Sequence, residues 1–235
     1  MISFDFGLTP EAVLEYLRGK GYTLTFDYDE LIKEAHHKAF TVAKVTKLDL
    51  LEDIHASLLD AMQNGTGFRE WKEKITPVLK EKGWHGEVDS INEETGEVKT
   101  IYVGSRRLRN IFKTNTRVAY NVGRYRQQRS LKSAVYWCYS AVMDAVTRPS
   151  HSERHNTVLH RDDPWWKINY PPNGWGCRCK VRAYTLAQVL KRGWKVLTDM
   201  PSNIAEKDWD YDIGGTAVDK LDAYLEKREK ESKLL

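Results

Sequence analysis

Apolar residues recur three and four positions apart along the first 80 residues, a spacing that places them on one face of an α-helix. Thr9 and Pro10 are typical of the first positions of a helix, and Asn64 and Gly65 are typical of a helix end. The pattern predicts four helices, and Pro77 should kink or break the last of them. The predicted helices cover residues 10 to about 19 or 21, 29 to 45, 48 to 62 and 68 to 80.

Past Gly83 the apolar residues begin to alternate with polar ones, which is typical of β-strands. Residues 88–91 and 98–103 flank a polar loop that contains Gly96, so we expect a β-hairpin. Residues 105–129 are expected to form a long basic helix. The change of pattern divides the chain into a helical N-terminal region (residues 1–84), an α+β core (residues 85–220) and a charged tail (residues 221–235).

The rear of the core combines short strands with an unusual loop. Residues 134–142 and 177–184 are predicted strands, because aromatic, β-branched and alternating positions dominate them. Pro149 is expected to begin a short helix, and residues 162–175 form an irregular loop rich in Pro and Trp. The predicted fold class is therefore α+β, a helical N-terminal region followed by a core with a long basic helix and a small antiparallel sheet.

The composition is that of a globular protein, with 235 residues of which 41% are hydrophobic and 30% are charged. No apolar run approaches the ~20 residues that span a bilayer, and the first residues lack a secretory signal, so we expect a cytosolic chain without membrane contacts. In that compartment three cysteines do not suggest a disulfide scaffold. Eight Trp and twelve Tyr favour interfaces with partner proteins.

The net charge is only +4, but its distribution is uneven. Residues 105–132 contain nine Lys or Arg and no Asp or Glu. Such a run suits an acidic protein surface or a phosphate backbone, and it would also suit a sequence-independent DNA-binding module; a solvated helix face has the same composition. The candidate contact residues are Arg106, Arg107, Arg109, Lys113, Arg117, Arg124, Arg126 and Arg129.

Two pairs of metal-binding side chains stand out in the rear part of the chain. His151 and His155 are four residues apart, which on a helix places both imidazoles on one face. Cys177 and Cys179 are two residues apart, which on a strand places both sulfurs on one face. Two thiolates and two neutral imidazoles are a ligand set for tetrahedral zinc. The pattern predicts one structural zinc ion with four protein ligands and no open position for a substrate.

Other interpretations of the same residues stay open. Asp144 or His160 could replace one of the ligands, and cysteines are also buried simply as small apolar side chains. A nuclease could use His151, His155 and Arg148 to move protons and stabilise phosphate charge. The histidine pair lacks the glutamate that follows the first histidine in zinc peptidases, and the sequence has no phosphate-binding glycine loop.

Several segments together resemble the phage Mu F-like minor head protein family. The most specific is the element Pro-Pro-Asn-Gly-Trp-Gly-Cys-Arg-Cys at residues 171–179. Near the end, Asp212-Ile213-Gly214 stands where the family usually has Asn-Pro-Gly. The other matching segments are residues 39–44, 83–84, 104–108, 114–120, 123–125, 144–148 with His151, and 209–214.

The resemblance implies a minor structural protein of the head of a tailed bacteriophage or prophage, and not an enzyme. Such a protein associates with the portal protein and with the major capsid or scaffolding protein, in several copies, and supports head assembly and DNA packaging or delivery. It would lie in the capsid interior or at the portal vertex of the virion, and in the host cytoplasm during assembly. Packaged DNA is a further expected contact.

Overall fold

A computed structural model describes residues 10–26, 39–216 and 223. Within these residues, helices alternate with three small sheets, which confirms the α+β class. The helices are α1 (Pro10–Arg18), α2 (Leu48–Gln63), α3 (Phe68–Glu81), α4 (Ser105–Ser130), α5 (Pro149–Ser152), α6 (Trp165–Asn169) and α7 (Leu186–Lys191). The strands are β1 (Gly21–Tyr22), β2 (Ala39–Phe40), β3 (Gly86–Ile91), β4 (Val98–Val103), β5 (Tyr136–Ser140), β6 (Val158–His160) and β7 (Lys180–Tyr184).

Three of the four helices predicted in the front part are confirmed as α1, α2 and α3. The spacing of their apolar residues produces one buried face on each helix, and Leu51, Leu58 and Trp71 are almost completely buried. The apolar faces of α2 and α3 pack with the hairpin and the first half of α4 in one hydrophobic core.

The prediction of a helix over residues 29–45 is wrong in its last part. Residues 27–38 lie outside the described residues, but Ala39–Phe40 form β2, which pairs in parallel with β1. Val45 is completely buried and forms an isolated bridge with Thr25. Buried β-branched and aromatic side chains fit a short strand and a turn as well as a helix, so periodicity alone could not separate the two.

Pro77 does not break α3, which continues from Phe68 to Glu81. A proline in a helix removes one N–H and leaves the carbonyl four residues earlier, here that of Glu73, without its partner. Pro77 and Glu73 both lie on the exposed face of α3. Water can therefore hydrogen-bond to the freed carbonyl, and the helix continues.

The hairpin and the rear sheet follow the predicted alternation. Strands β3 and β4 pair antiparallel from Gly86 opposite Val103 to Ile91 opposite Val98, which confirms the hairpin. In the rear, β5 is the central strand of a three-stranded antiparallel sheet in the order β6-β5-β7. Because β5 is covered on both edges, its side chains form the centre of the rear core.

Helix α4 is 26 residues long and connects the hydrophobic clusters of the molecule. Its first half, with Leu108 and Phe112, contributes to the front core, and Ala119 and Val122 pack against α1. Tyr125 contacts the aromatic rings of the rear core. The division of the chain into two regions near residue 85 stays a prediction. The front core contains residues from both sides of this boundary. No helix in the described part of the chain is long and apolar enough to cross a membrane.

His55 on α2 is a buried histidine that links α1 to β1. Its Nε2 lies 2.9 Å from the carbonyl oxygen of Leu17, and its Nδ1 lies 3.1 Å from the hydroxyl of Tyr22. Because a carbonyl can only accept, Nε2 carries the proton and Nδ1 accepts from the Tyr22 hydroxyl. Burial lowers the pKa of His55 below its usual value, so the folded protein keeps this ring neutral.

We expect the free energy of unfolding to decrease as the pH falls below about 6.5, the pKa of histidine in an unfolded chain. Below that pH the unfolded chain binds a proton that the buried His55 ring resists, so protonation favours unfolding. Replacing His55 with glutamine should make stability less dependent on pH in this range. Urea denaturation of both proteins between about pH 5 and 8 measures the difference, and equal pH dependence would contradict the assignment.

Candidate functional site

Three of the four predicted metal ligands meet in the rear core. The ligand atoms of His151, Cys177 and Cys179 all lie within 4.8 Å of one another, and all three residues are buried. The Nδ1 atom of His151 is 3.7 Å from the sulfur of Cys177 and 3.7 Å from the sulfur of Cys179. Within the described residues, this group does not include His155.

The secondary structure around these residues differs from the prediction in two ways. Helix α5 ends at Ser152, so His155 lies in the following turn and does not share a helix face with His151. Cys177 and Cys179 precede β7 and are not part of it. The outcome of the spacing argument still holds, because both sulfurs lie 3.7 Å from His151 Nδ1 although neither cysteine is in a strand.

The two rival ligands lie outside the group. Asp144 accepts two hydrogen bonds from the guanidinium of Arg178, at 2.6 and 2.5 Å. This pairing and the hydroxyl of Thr147 lower the pKa of Asp144 to about 2. His160 is exposed, and its Nδ1 lies 3.4 Å from Asp162. The arginine between the two cysteines therefore holds the Asp144 carboxylate in an ion pair.

The two sulfurs of the buried group differ in their affinity for protons. The hydrogen bond with Cys179 lowers the pKa of Cys177 well below its usual value, and the hydrogen bond with His151 lowers it further. The same interaction with Cys177, together with burial, raises the pKa of Cys179. Because the two thiols are in contact, the loss of a proton from one opposes its loss from the other.

The loop before the cysteines is tied to the rest of the molecule by polar contacts from distant parts of the chain. Arg148 forms an ion pair of 2.6 Å with Glu206 and donates a hydrogen bond of 2.9 Å to the carbonyl of Trp175. Arg117 of α4 donates a hydrogen bond of 3.0 Å to the carbonyl of Gly176. These contacts hold the loop between α4 and the segment around residue 206.

The loop also has a buried polar contact at its centre. Asn173 is completely buried and accepts a hydrogen bond of 3.1 Å from the hydroxyl of Tyr139 on β5. The peptide bond between Pro171 and Pro172 is cis. Gly176 has a φ of 72°, a left-handed conformation that favours glycine and turns the chain into the first cysteine. The conformation of the loop therefore positions both sulfurs.

The cations of α4 are not spread evenly around the helix. At about 100° per residue, five of the eight candidates lie within about 80° of one another. Within the described residues, neither Arg106, Arg109 nor Lys113 has an ion-pair partner. We call the five residues on this side the cationic face: Arg106, Arg109, Lys113, Arg117 and Arg124.

Repulsion within the cationic face is visible at Lys113. Partial burial lowers the pKa of Lys113, and the neighbouring guanidinium groups of Arg117 and Arg109 lower it further. Arg109, Lys113 and Arg117, at intervals of four residues, thus lie next to one another on the helix without a carboxylate between them. Such a row is a destabilising feature of the isolated chain that an anionic partner would relieve.

The other three candidates lie on other sides of α4. Arg107 donates a hydrogen bond to the carbonyl of Ala43 and stacks 5.4 Å from the ring of Trp84. Arg129 forms an ion pair with Asp162. Arg126 points away from the cationic face by the same helical geometry. The contacts of Arg107 and Arg129 give them roles within the fold.

Comparison with known proteins gives the family. Residues 52–182, more than half of the chain, match the family described as "Phage Mu protein F like protein". The chain belongs to this family. The matched segment contains α4 and the buried group of His151, Cys177 and Cys179. The resemblance carried by the element at residues 171–179 is therefore confirmed.

Two relatives from the same family have similar sequences. The chain is 42% identical over 191 residues to a protein of Escherichia phage Mu named "Putative capsid assembly protein F", covering 80% of this chain and 43% of that protein. It is 43% identical over 175 residues to the "Mu-like prophage FluMu F protein" of Haemophilus influenzae, covering 74% of this chain and 41% of that protein. The chain thus spans less than half the length of these relatives. No solved structure matches it.

One surface feature of this family member was not predicted from the sequence. A cavity of about 380 Å³ lies between α4, the residues around β2 and the loop before the cysteines. Its wall includes Thr41, Arg107, Asn110, Asn115 and Trp175. The sequence offered no signal for it, because its wall brings together four segments that are far apart in the chain.

Replacing Gly174 with alanine should lower the free energy of unfolding by about 1–3 kcal/mol, the usual cost of overpacking. A Cβ at this position would lie 2.5 Å from the carboxyl carbon of Glu206, which Arg148 holds in its ion pair. A Cβ at Gly21 would have no atom within 4 Å, and the backbone there is not left-handed, so Gly21→Ala is the matched control. Urea denaturation would show equal stability of the two variants if the contact with Glu206 were unimportant.

Proposed function

We propose that this chain is a minor structural protein of the head of a Mu-like phage or prophage, where it supports head assembly and DNA packaging or delivery. Its membership in the Mu F-like family is the observation that carries the proposal. The name of the phage Mu relative, which refers to capsid assembly, gives the proposal its direction. Its place would be the capsid interior or the portal vertex, and the host cytoplasm before assembly.

The cationic face is the surface that we propose for contact with other head components. Its first three cations, Arg106, Arg109 and Lys113, lie on a side of α4 that points away from Leu108 and Ile111 of the front core. Farther along the helix, Arg117 and Arg124 are partly buried. An acidic surface on the portal, capsid or scaffolding protein would neutralise the cations, and so would the phosphates of packaged DNA. We favour a protein partner, because the name of the phage Mu relative refers to capsid assembly. Tyr120 and Tyr125 of α4 are partly buried, which argues against stacking on the bases of a single strand.

Co-purification tests this proposal. The tagged chain, expressed in cells in which the phage or prophage is induced, should bring down portal and capsid proteins. The same pull-down with nuclease added separates a protein contact from a bridge of DNA. Loss of the head proteins after nuclease treatment would favour DNA binding, and then the affinity for DNA should fall steeply with salt concentration.

The alternative function, a nuclease, has less support. Its proposed proton-transfer group His151 has only 1% of its surface exposed, so a phosphodiester could not reach the ring. Arg148 is occupied by Glu206 and the carbonyl of Trp175. Incubation of the folded protein with plasmid DNA and tRNA, with and without a chelator, tests the alternative, and cleavage that disappears in His151→Ala would favour it over our proposal.

A further inference from the structure

The geometry around His151 Nδ1 is difficult to explain by hydrogen bonds alone. A neutral imidazole nitrogen offers one lone pair or one proton, directed along one line in the plane of the ring. It can therefore satisfy one sulfur. Here the sulfurs of Cys177 and Cys179 lie at the same distance of 3.7 Å from this atom. Three atoms arranged around one point indicate a shared ligand at that point.

The distances fit a zinc ion. With Zn–S bonds of about 2.3 Å, Zn–N bonds of about 2.0–2.1 Å and tetrahedral angles, sulfur and nitrogen ligands lie about 3.5–3.6 Å apart and two sulfurs about 3.8 Å apart. The observed sulfur-to-nitrogen distances are 3.7 Å, and all three atoms lie within 4.8 Å of one another. The two sulfur-to-nitrogen distances are thus within about 0.2 Å of those expected around one zinc ion.

The chemistry of the donors also favours zinc. Thiolate and imidazole are the ligands that zinc prefers over magnesium or calcium, which take oxygen ligands. Two thiolates and a neutral imidazole around Zn²⁺ have no net charge, so the site can be buried at a smaller cost than free thiolates. We propose that His151 Nδ1, Cys177 Sγ and Cys179 Sγ bind one zinc ion in the rear core of this protein.

The structure changes the ligand set that the sequence predicts. Three protein ligands replace four, with His155 left out, so a water molecule completes the tetrahedron. Three ligands and a water are also the pattern of catalytic zinc. Here His151, Cys177 and Cys179 are each at most 4% exposed, so a macromolecular substrate cannot reach the ion and its role is structural.

The ion would join two segments that the sheet does not connect directly. His151 is on α5, and both cysteines follow the loop at residues 171–176. The hydrogen bonds from Arg117 and Arg148 hold the loop at its other residues. Because the binding energy of a structural metal contributes to the free energy of folding, the zinc would stabilise this part of the molecule.

The test measures metal in the full chain purified from cells grown with zinc. Elemental analysis should give about one zinc ion per chain. Replacement of zinc by cobalt should produce the thiolate-to-cobalt charge-transfer absorption of a tetrahedral site. A chelator strong enough to remove the metal should lower the melting temperature. Zinc-free wild-type protein without a cobalt charge-transfer band would overturn the proposal, as would a Cys177–Cys179 disulfide found by mass spectrometry.

Variants identify the ligands. His151→Ala and the double variant Cys177→Ser, Cys179→Ser should lose the zinc. Two matched controls should retain it: His155→Ala, and Cys138→Ser, whose cysteine is buried in a different cluster beside Val158 and Tyr184. Loss of zinc from His155→Ala would overturn the three-residue assignment. If the ligand variants do not fold, the cobalt spectrum of the wild-type protein and the two controls still decide the question.

Discussion

Replacing Trp137 with alanine should lower the free energy of unfolding by about 3–5 kcal/mol, the cost of removing a large aromatic side chain from a core. Trp137 is completely buried on the central strand β5. Its ring lies 5.3 Å from that of Tyr125, 5.3 Å from that of Tyr170 and 5.7 Å from that of Trp166. The variant would leave a large cavity between α4, α6 and the rear sheet. Urea denaturation followed by circular dichroism measures the loss.

Trp137→Phe is the matched control for this variant. Phenylalanine keeps most of the ring packing, and it removes an indole N–H that has no hydrogen-bond partner among the described residues. Removing an unsatisfied buried donor offsets part of the lost contact area. We therefore expect Trp137→Phe to cost less than half as much as Trp137→Ala. Equal losses for the two variants would contradict the central role that we give to this ring.

Reversing the charge of two residues on the cationic face, Arg109→Glu with Lys113→Glu, should reduce binding to head proteins by about a hundredfold. Placing like charges opposite one another at an interface costs several kcal/mol, and each 1.4 kcal/mol changes an affinity about tenfold. The yield of infectious particles in a complementation assay should fall in parallel. Pull-down of head proteins and plaque counts measure the two effects.

Lys80→Glu with Lys191→Glu is the control for this charge reversal. It changes the net charge by the same amount, and both lysines are exposed on helices other than α4. We expect this control to bind head proteins normally. Arg109 lies 4.6 Å from the ring of Phe68, so the melting temperatures of both double variants have to be compared with that of the wild type. Equal binding by the two variants would place the contact surface elsewhere.

Structural features that depend on residues close together in the sequence could be predicted. The helical spacing of apolar residues predicted α1, α2 and α3, and the glycine-containing loop predicted the hairpin. In each case one face of the element is buried, so the pattern is visible in the chain itself. The same spacing failed at residues 39–45, where a buried strand and turn have the apolar content of a helix.

The buried group was predicted in part. The two cysteines and His151 meet as expected, but nothing in the spacing showed that α5 would end after four residues. Asn156, which has a φ of 64°, is a residue type that often adopts the left-handed conformation found after helix ends. Because Asn156 follows His155, a helix end at this asparagine would still have left His155 on one helix with His151.

The contacts that hold the loop at residues 171–176 could not be predicted. Arg117, Arg148 and Glu206 are between 27 and 59 residues away from the loop positions that they contact. Such contacts depend on how α4 and the rear sheet pack, and a single sequence carries no pattern for them. The same is true of the cationic face, since composition indicated eight candidates and only helix geometry and contacts selected five.

The most direct test of the proposed role is deletion of the gene for this chain from the phage or prophage that encodes it. Electron microscopy and plaque counts of the induced lysate measure the result. A head assembly protein predicts few DNA-filled heads and few infectious particles, with both restored by the wild-type gene on a plasmid. Normal numbers of DNA-filled, infectious particles from the deletion mutant would contradict the proposed function.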